Sequence, residues 1–191
     1  MTQFYISVIL FVLLGLLAGG RVAMLNRRGI KANVFAKTDK SDFLLVPFVL
    51  AIVYTVCSGA FGLPLWKPLK APFWETQAPG IAGILICVVA LIGVAASIKS
   101  FGSSFRVGID EENPDKLITT GMFAISRNPI YTCFIVFITG QFLIHRNLII
   151  AVAEICFVLI IHRQILREEK FLQSYYGEDF EAYCRKVRRY I

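Results

Sequence analysis

Long apolar runs alternate with short polar ones over most of the chain. Residues 4–25 carry one charge, Arg21, near the end of the run; residues 43–65 hold Pro47 near the start and Pro64 near the end; residues 78–98 are opened by Pro79. Each is as long as the roughly 20 residues that cross a hydrocarbon core, and proline is tolerated where a helix starts because that N–H has no intrahelical partner. Three spanning helices are therefore predicted. Residues 130–144 and 148–161 are shorter apolar runs, separated only by His145, Arg146 and Asn147. They predict a tight hairpin of two short helices, followed by a polar, amphipathic tail over 163–191. The fold class is thus all-α: a membrane bundle of about five transmembrane helices, the last two a short hairpin, with cytoplasmic C-terminal helices.

Composition supports a bilayer environment. Of 191 residues, 57% are hydrophobic and 17% charged, and mean hydropathy is +0.66; a soluble domain of this size would leave much of that apolar surface in water. One structural domain is expected, with residues 1–98 forming the three N-terminal spans and 99–191 a core of loop, hairpin and C-terminal helices. The first run lacks a basic leader and is long for a signal peptide, so it reads as a retained span. Its Gly15 and Gly19 form a GxxxG pair that suits a close helix contact. Five cysteines without a CxxC pair, and two histidines, offer no zinc-type cluster.

Seventeen of the 20 basic residues fall in 21–42, 99–127 and 163–191, leaving Lys67, Lys70 and Arg146 for the other side. Positive-inside counting then puts the N-terminus outside and the C-terminus in the cytoplasm. The net charge of +7 follows from that topology and from contact with anionic headgroups; no basic stripe interleaved with exposed aromatics suggests nucleic acid.

Polar groups collect in two places, residues 100–131 and 162–191, which the hairpin returns to one membrane face. In Ser126-Arg127-Asn128-Pro129, Pro129 suits the first turn of a helix, and Asn128 or Ser126 can cap it, with Arg127 a snorkelling side chain. Glu168 and Glu169 are adjacent and point to different faces, so a pair acting together is not expected; Glu168 can meet Arg167 or Arg163 on the surface for about 0–1 kcal/mol. Gly177 reads as a helix stop. Phe171, Tyr175, Tyr176, Phe180 and Tyr183 either lie against headgroups or wall a pocket. Glu154, inside the fifth run, is expected near the outer end of the hairpin within reach of Arg146 or solvent. Arg106 and Asp110 follow a Gly/Ser-rich stretch of a kind that can hold a ligand.

Taken together, "GMFAISRNPIY", a short apolar hairpin and "REEKFLQSYYGEDFEAYCRKVRRYI" resemble the isoprenylcysteine carboxyl methyltransferase family of membrane enzymes and the related phospholipid N-methyltransferases. The matching positions are Gly121, Phe123, Arg127, Pro129, Tyr131, Glu168, Glu169, Gly177, Phe180 and Tyr183. Asn128 stands where that family has histidine, and asparagine cannot carry a proton near neutral pH.

The resemblance implies S-adenosylmethionine as cofactor and a lipid or lipid-modified, isoprenylcysteine-carboxylate-like acceptor arriving from the bilayer, with the site at the inner interface. It implies that Glu168 or Glu169 accepts from the cofactor's ammonium, that Asn128 and Tyr131 bond its polar groups, and that Pro129 shapes the backbone. Tyr176, Phe180 and Tyr183 would line the adenosine side. Arg127 would hold an anion of the acceptor, with His162 and Arg163 on the substrate side, so that Arg127 and Glu168 carry the catalytic role. The alternatives are a phospholipid or small-molecule methyltransferase, or, outside enzymes, a non-catalytic membrane subunit or small transporter. Transport predicts polar residues at mid-bilayer in several spans, and only Glu154 approaches that.

Overall fold

A computed structural model describes residues 2–27, 43–102 and 117–191. Arg106 and Asp110 lie outside the described residues, as do Arg28, Lys31, Lys37, Lys40 and Lys116. The described chain is helical: α1 (Thr2–Arg27), α2 (Leu45–Phe61), a one-turn α3 (Lys67–Lys70), α4 (Ala78–Phe101), a 3-10 turn at Gly121–Ala124, α5 (Pro129–His145), α6 (Leu148–Tyr176) and α7 (Glu178–Lys186). Helices α1, α4 and α6 are long and apolar enough to cross a membrane, and α2 and α5 are apolar helices of 17 residues each, at the short end of spanning length. Large apolar side chains such as Leu16, Val89, Ile92 and Leu159 are exposed along these helices. Water would make such a surface costly, and lipid makes it ordinary. The protein is an integral membrane protein.

Local signals set the helix ends. Pro129 opens α5 at its first turn. Asn147 caps α6, its side chain accepting from the Ile150 amide at 3.1 Å. Gly177, at φ 53°, ends α6 and turns the chain into α7, a left-handed position that suits glycine. Helix α6 runs for 29 residues, so the expectation of a short second hairpin helix ending near 161 is corrected. The helix keeps going after its hydropathy falls because residues such as Ile165 continue a buried stripe, and amphipathic periodicity carries a helix where a run of apolar residues stops.

Packing is tightest between α4 and α5. A Cβ on Gly83 would meet the Gly140 carbonyl oxygen at 2.5 Å, one on Gly140 would meet Cys87 Sγ at 2.5 Å, and one on Gly93 would meet Cys133 Sγ at 2.5 Å. Small residues let two backbones approach inside a membrane, where dispersion rather than water exclusion holds helices together. The GxxxG expectation for Gly15 and Gly19 is corrected: nothing lies within 4 Å of a Cβ at either, and both face outward. One buried cluster joins Leu10 of α1, Cys87, Ala90 and Leu91 of α4, and Phe137 and Ile144 of α5. A second joins Ile52 and Val56 of α2, Ile138 of α5, and Ile150, Phe157, Ile161 and Ile165 of α6. Helix α5 belongs to both and is the shared wall of the bundle.

Glu154 also departs from expectation. It accepts from Thr139 Oγ1 of α5 at 2.5 Å, while Arg146 donates to the Thr76 carbonyl. A carboxylate at that depth is more cheaply satisfied by a neighbouring helix than by reaching the interface. All five cysteines are free thiols.

Candidate active site

The start of α5, the distal half of α6, α7 and the C-terminal segment 187–190 meet on one membrane face. Their joint is built around Glu169. Its Oε1 accepts from Arg127 Nε at 3.1 Å and Asn128 Nδ2 at 3.3 Å, and its Oε2 from Arg189 Nε at 2.9 Å. The ion pairs Arg127 Nη2–Glu169 Oε1 and Arg189 Nη2–Glu169 Oε2 close at 3.1 and 2.8 Å, with the Arg127 and Glu169 side chains only 12% and 11% exposed. The hydrogen bond from Arg189 to Glu169 is the largest influence raising the arginine's pKa above its ordinary value, so this guanidinium stays charged.

Arg127 does more than pair. Its Nη1 donates to the carbonyls of Cys184 and Val187 at 3.3 and 3.1 Å, at the C-terminal end of α7, where unsatisfied carbonyls favour a cation. Its backbone amide donates to Arg188 O at 2.9 Å. Ser126 Oγ and Asn128 Nδ2 both donate to Arg189 O, at 3.3 and 3.1 Å. The segment 187–190 is thus stitched along 126–128. Tyr190 extends the seam to α6, its hydroxyl 2.6 Å from His162 Nδ1, with the two rings stacked.

Asn128 occupies the cap position of α5 but makes no side-chain cap, which corrects the capping expectation for it. Ser126 Oγ instead accepts from the Asn128 amide at 3.1 Å. With Nδ2 fixed by two acceptors, the amide orientation is set, and Asn128 Oδ1 accepts from no group among the described residues. Beside it, Glu168 accepts from the Tyr131 hydroxyl at 2.5 Å and from Gln164 Nε2 at 3.2 Å. The adjacent glutamates therefore share one site: Glu169 locks the scaffold, and Glu168 is oriented by Tyr131 and Gln164.

Of the three aromatics expected on a nucleoside wall, Phe180 and Tyr183 are core residues, 2% and 7% exposed. The Tyr183 hydroxyl donates to Phe123 O of the 3-10 turn at 2.6 Å, and burial pushes its pKa up to about 12, which keeps the donor protonated. In the structure they seat α7 on residues 121–124. Tyr176 is half-buried at the end of α6, and Arg163 is exposed on it. The Arg127 fork is engaged by Glu169 and two carbonyls, so the anion it meets in this structure is the protein's own. Sequence reading missed Arg189, Gln164 and Tyr190. The doublet Arg188-Arg189 reads as topology charge, and only the fold of the tail gives one member a buried partner.

The phospholipid methyltransferase family model matches residues 79–179, more than half of the chain. Among curated proteins, a probable protein-S-isoprenylcysteine O-methyltransferase of Oryza sativa subsp. indica is 28% identical over 155 residues, covering 78% of each chain. Protein-S-isoprenylcysteine O-methyltransferase B of Arabidopsis thaliana is 25% identical over 146 residues, covering 73% of this chain and 71% of that one. Among solved structures, a eukaryotic intramembrane Ras methyltransferase, isoprenylcysteine carboxyl methyltransferase, matches with a TM-score of 0.61 at 20% identity over 87% of this chain. The chain spans 58% of that protein's length.

Proposed function

This chain belongs to the phospholipid methyltransferase family, and from that premise we propose that it is an S-adenosylmethionine-dependent methyltransferase acting on a lipophilic, isoprenylcysteine-carboxylate-like acceptor at the cytoplasmic face of its membrane. The observation that carries this reading is that Glu169 and the Arg189 carbonyl fix Asn128 Nδ2, which leaves Oδ1 to accept, while Tyr131 and Gln164 hold the carboxylate of Glu168, the chain neighbour of Glu169. Two oriented acceptors on one wall fit the ammonium end of the cofactor.

The cofactor, when bound, supplies an electrophilic methyl carbon on a positively charged sulfur. The chain's own residues do the rest by placement. Asn128 and Glu168 bind and orient the amino-acid end. Tyr131 holds Glu168 in place, and Arg127, Glu169 and Arg189 fix the backbone that carries them; Arg127 is a positioning residue. Tyr176 lies on the nucleoside side, and His162, held by Tyr190, on the acceptor side with Arg163. A carboxylate acceptor arrives already ionised and needs no base, so asparagine is sufficient at position 128. The positive-inside distribution supports a cytoplasmic position for this face, where a soluble charged cofactor arrives, while the acceptor's tail stays in lipid.

The family description favours a second reading, in which the acceptor is the amine of a phospholipid and Glu168 takes the proton that an amine must lose. Methyl transfer from labelled adenosylmethionine by the purified protein separates the two. Labelling of a farnesylcysteine analogue and not of phosphatidylethanolamine is the expected result; the opposite outcome replaces the first reading with the second, and no binding of labelled cofactor ends both.

A further inference from the structure

At the other end of α5 the bundle contains a cavity of about 290 Å³. It lies on the membrane face opposite the Glu169 joint, about 25 Å away by the rise of a 17-residue helix. The floor is His145, which is 6% exposed and stacks on Phe4 at 5.1 Å between ring centroids. The rim carries Lys70 and Arg146, and among the described residues no carboxylate lines the cavity. The strand of chain closing it is pinned by the Phe73 amide, which donates to Arg146 O at 2.7 Å.

Hydrogen-bond directions fix what the floor presents. Ser7 donates its hydroxyl to Gln141 Oε1, so Ser7 Oγ is left to accept from His145 Nε2, 2.9 Å away. Gln141 in turn donates to Cys87 Sγ at 3.5 Å, and Cys87 to Phe137 O at 3.4 Å. This relay through α1, α5 and α4 holds the proton on Nε2 and leaves Nδ1 as an acceptor. Nδ1 has no partner among the described residues. It lies 3.1 Å from the point where a Cβ on Gly59 would sit, so only a glycine there keeps that approach open. Ser58 and Thr55 on the same wall donate to backbone carbonyls at 2.8 Å each, so their oxygens too can only accept.

The cavity therefore asks for a hydroxyl donor at its floor and an anion at its rim. We propose that it binds a glycerophosphate group, with the phosphate between Lys70 and Arg146 and a hydroxyl donated to His145 Nδ1. Arg146 spends one nitrogen on Thr76 O and keeps the rest of its fork for phosphate oxygens. The volume holds about ten water-sized atoms at roughly 30 Å³ each, which matches glycerophosphate. The same chemistry comes from a phosphatidylglycerol headgroup or from the free phosphoester.

The test uses the full chain in an uncharged detergent, titrated by calorimetry with dioctanoylphosphatidylglycerol, glycerol 1-phosphate and dioctanoylphosphatidylcholine. Saturable binding of the first, and none of the third, is expected. Comparable binding of glycerol 1-phosphate assigns the site to the soluble ester, and its failure assigns it to the lipid; either supports the proposal. Gly59→Ala, which sets a methyl against Nδ1, and Lys70→Gln should each weaken the bound probe by about tenfold, with melting and adenosylmethionine binding checked to show that the protein remains folded. If neither phosphatidylglycerol nor glycerol 1-phosphate saturates, or if both folded variants bind like the parent, the proposal is overturned.

Discussion

The two ends of α5 handle charge in opposite ways. At its start, Arg127 and Arg189 close on Glu169, and the leftover donors go to carbonyls of the C-terminal segment. At its end, Lys70 and Arg146 stand at a cavity lined by no carboxylate among the described residues, together with a histidine whose second ring nitrogen is left to accept. Buried charge needs a partner, and at the start of α5 the protein supplies it, so the result is a joint; at the other end Lys70 is exposed and Arg146 half-buried, so these charges rest in reach of solvent and stay open to an anion from outside. Machinery and binding site are thus told apart less by residue type than by whether local charges already cancel.

The sharpest way to break this contrast is Arg127→Met. It removes one cation from Glu169 and uncaps α7, and losing one member of a buried pair costs about 3–5 kcal/mol. The melting temperature should fall, segment 187–190 should become open to carboxypeptidase, and methyl transfer should be lost. If the variant melts like the parent, the joint is not what holds the tail. Glu168→Gln comes next. The site keeps its shape because glutamine still accepts from Tyr131, but one hydrogen bond to a cation is weakened. Such a bond contributes about 1.5–3 kcal/mol, so adenosylmethionine affinity should drop roughly 10- to 100-fold at unchanged melting temperature. Unchanged affinity by calorimetry would remove Glu168 from the cofactor side.

Gly140→Ala asks whether both ends rest on one rigid wall. Its Cβ would press on Cys87 Sγ and on Gly83 O, 2.5 and 2.7 Å away, and overpacking typically costs about 1–3 kcal/mol. Because α4 and α5 separate at that point, adenosylmethionine and phosphatidylglycerol affinities should fall together. A loss confined to one ligand would mean that the two ends are supported independently.

Much of this was legible from the chain because the signals are local. Pro129 at the start of α5 and Gly177 at the end of α6 need only their own backbone to act, and the clustering of polar residues at 100–131 and 162–191 showed which regions would meet. What was not legible depends on contacts between distant residues. Arg189 becomes a site residue only because the tail folds back on 126–128. His145 looks like a turn residue in His145-Arg146-Asn147, and only Ser7, far away in α1, makes it the buried floor of a cavity. Helix α6 was cut short because hydropathy marks where lipid ends, whereas the helix ends where its buried stripe does.

The smallest effect is expected at Gly15 and Gly19, and it bears on what the α4–α5 glycines mean. Both kinds of glycine lie in membrane helices, but only those of α4 and α5 have a backbone or sulfur atom where a Cβ would go. Gly15→Ala with Gly19→Ala fills open space and removes two flexible positions from a helix, where alanine is favoured over glycine by about 0.5–1 kcal/mol per site in water. Melting should hold steady or rise slightly, and the affinities at both ends of α5 should stay within twofold of the parent. A clear drop in melting temperature, or a shift in the size of the detergent-solubilised particle, would show that this face of α1 meets a second chain. In that case the contrast between crowded and open glycines would describe one protomer only, and Gly15 and Gly19 would join Gly83 and Gly140 as points of close helix approach.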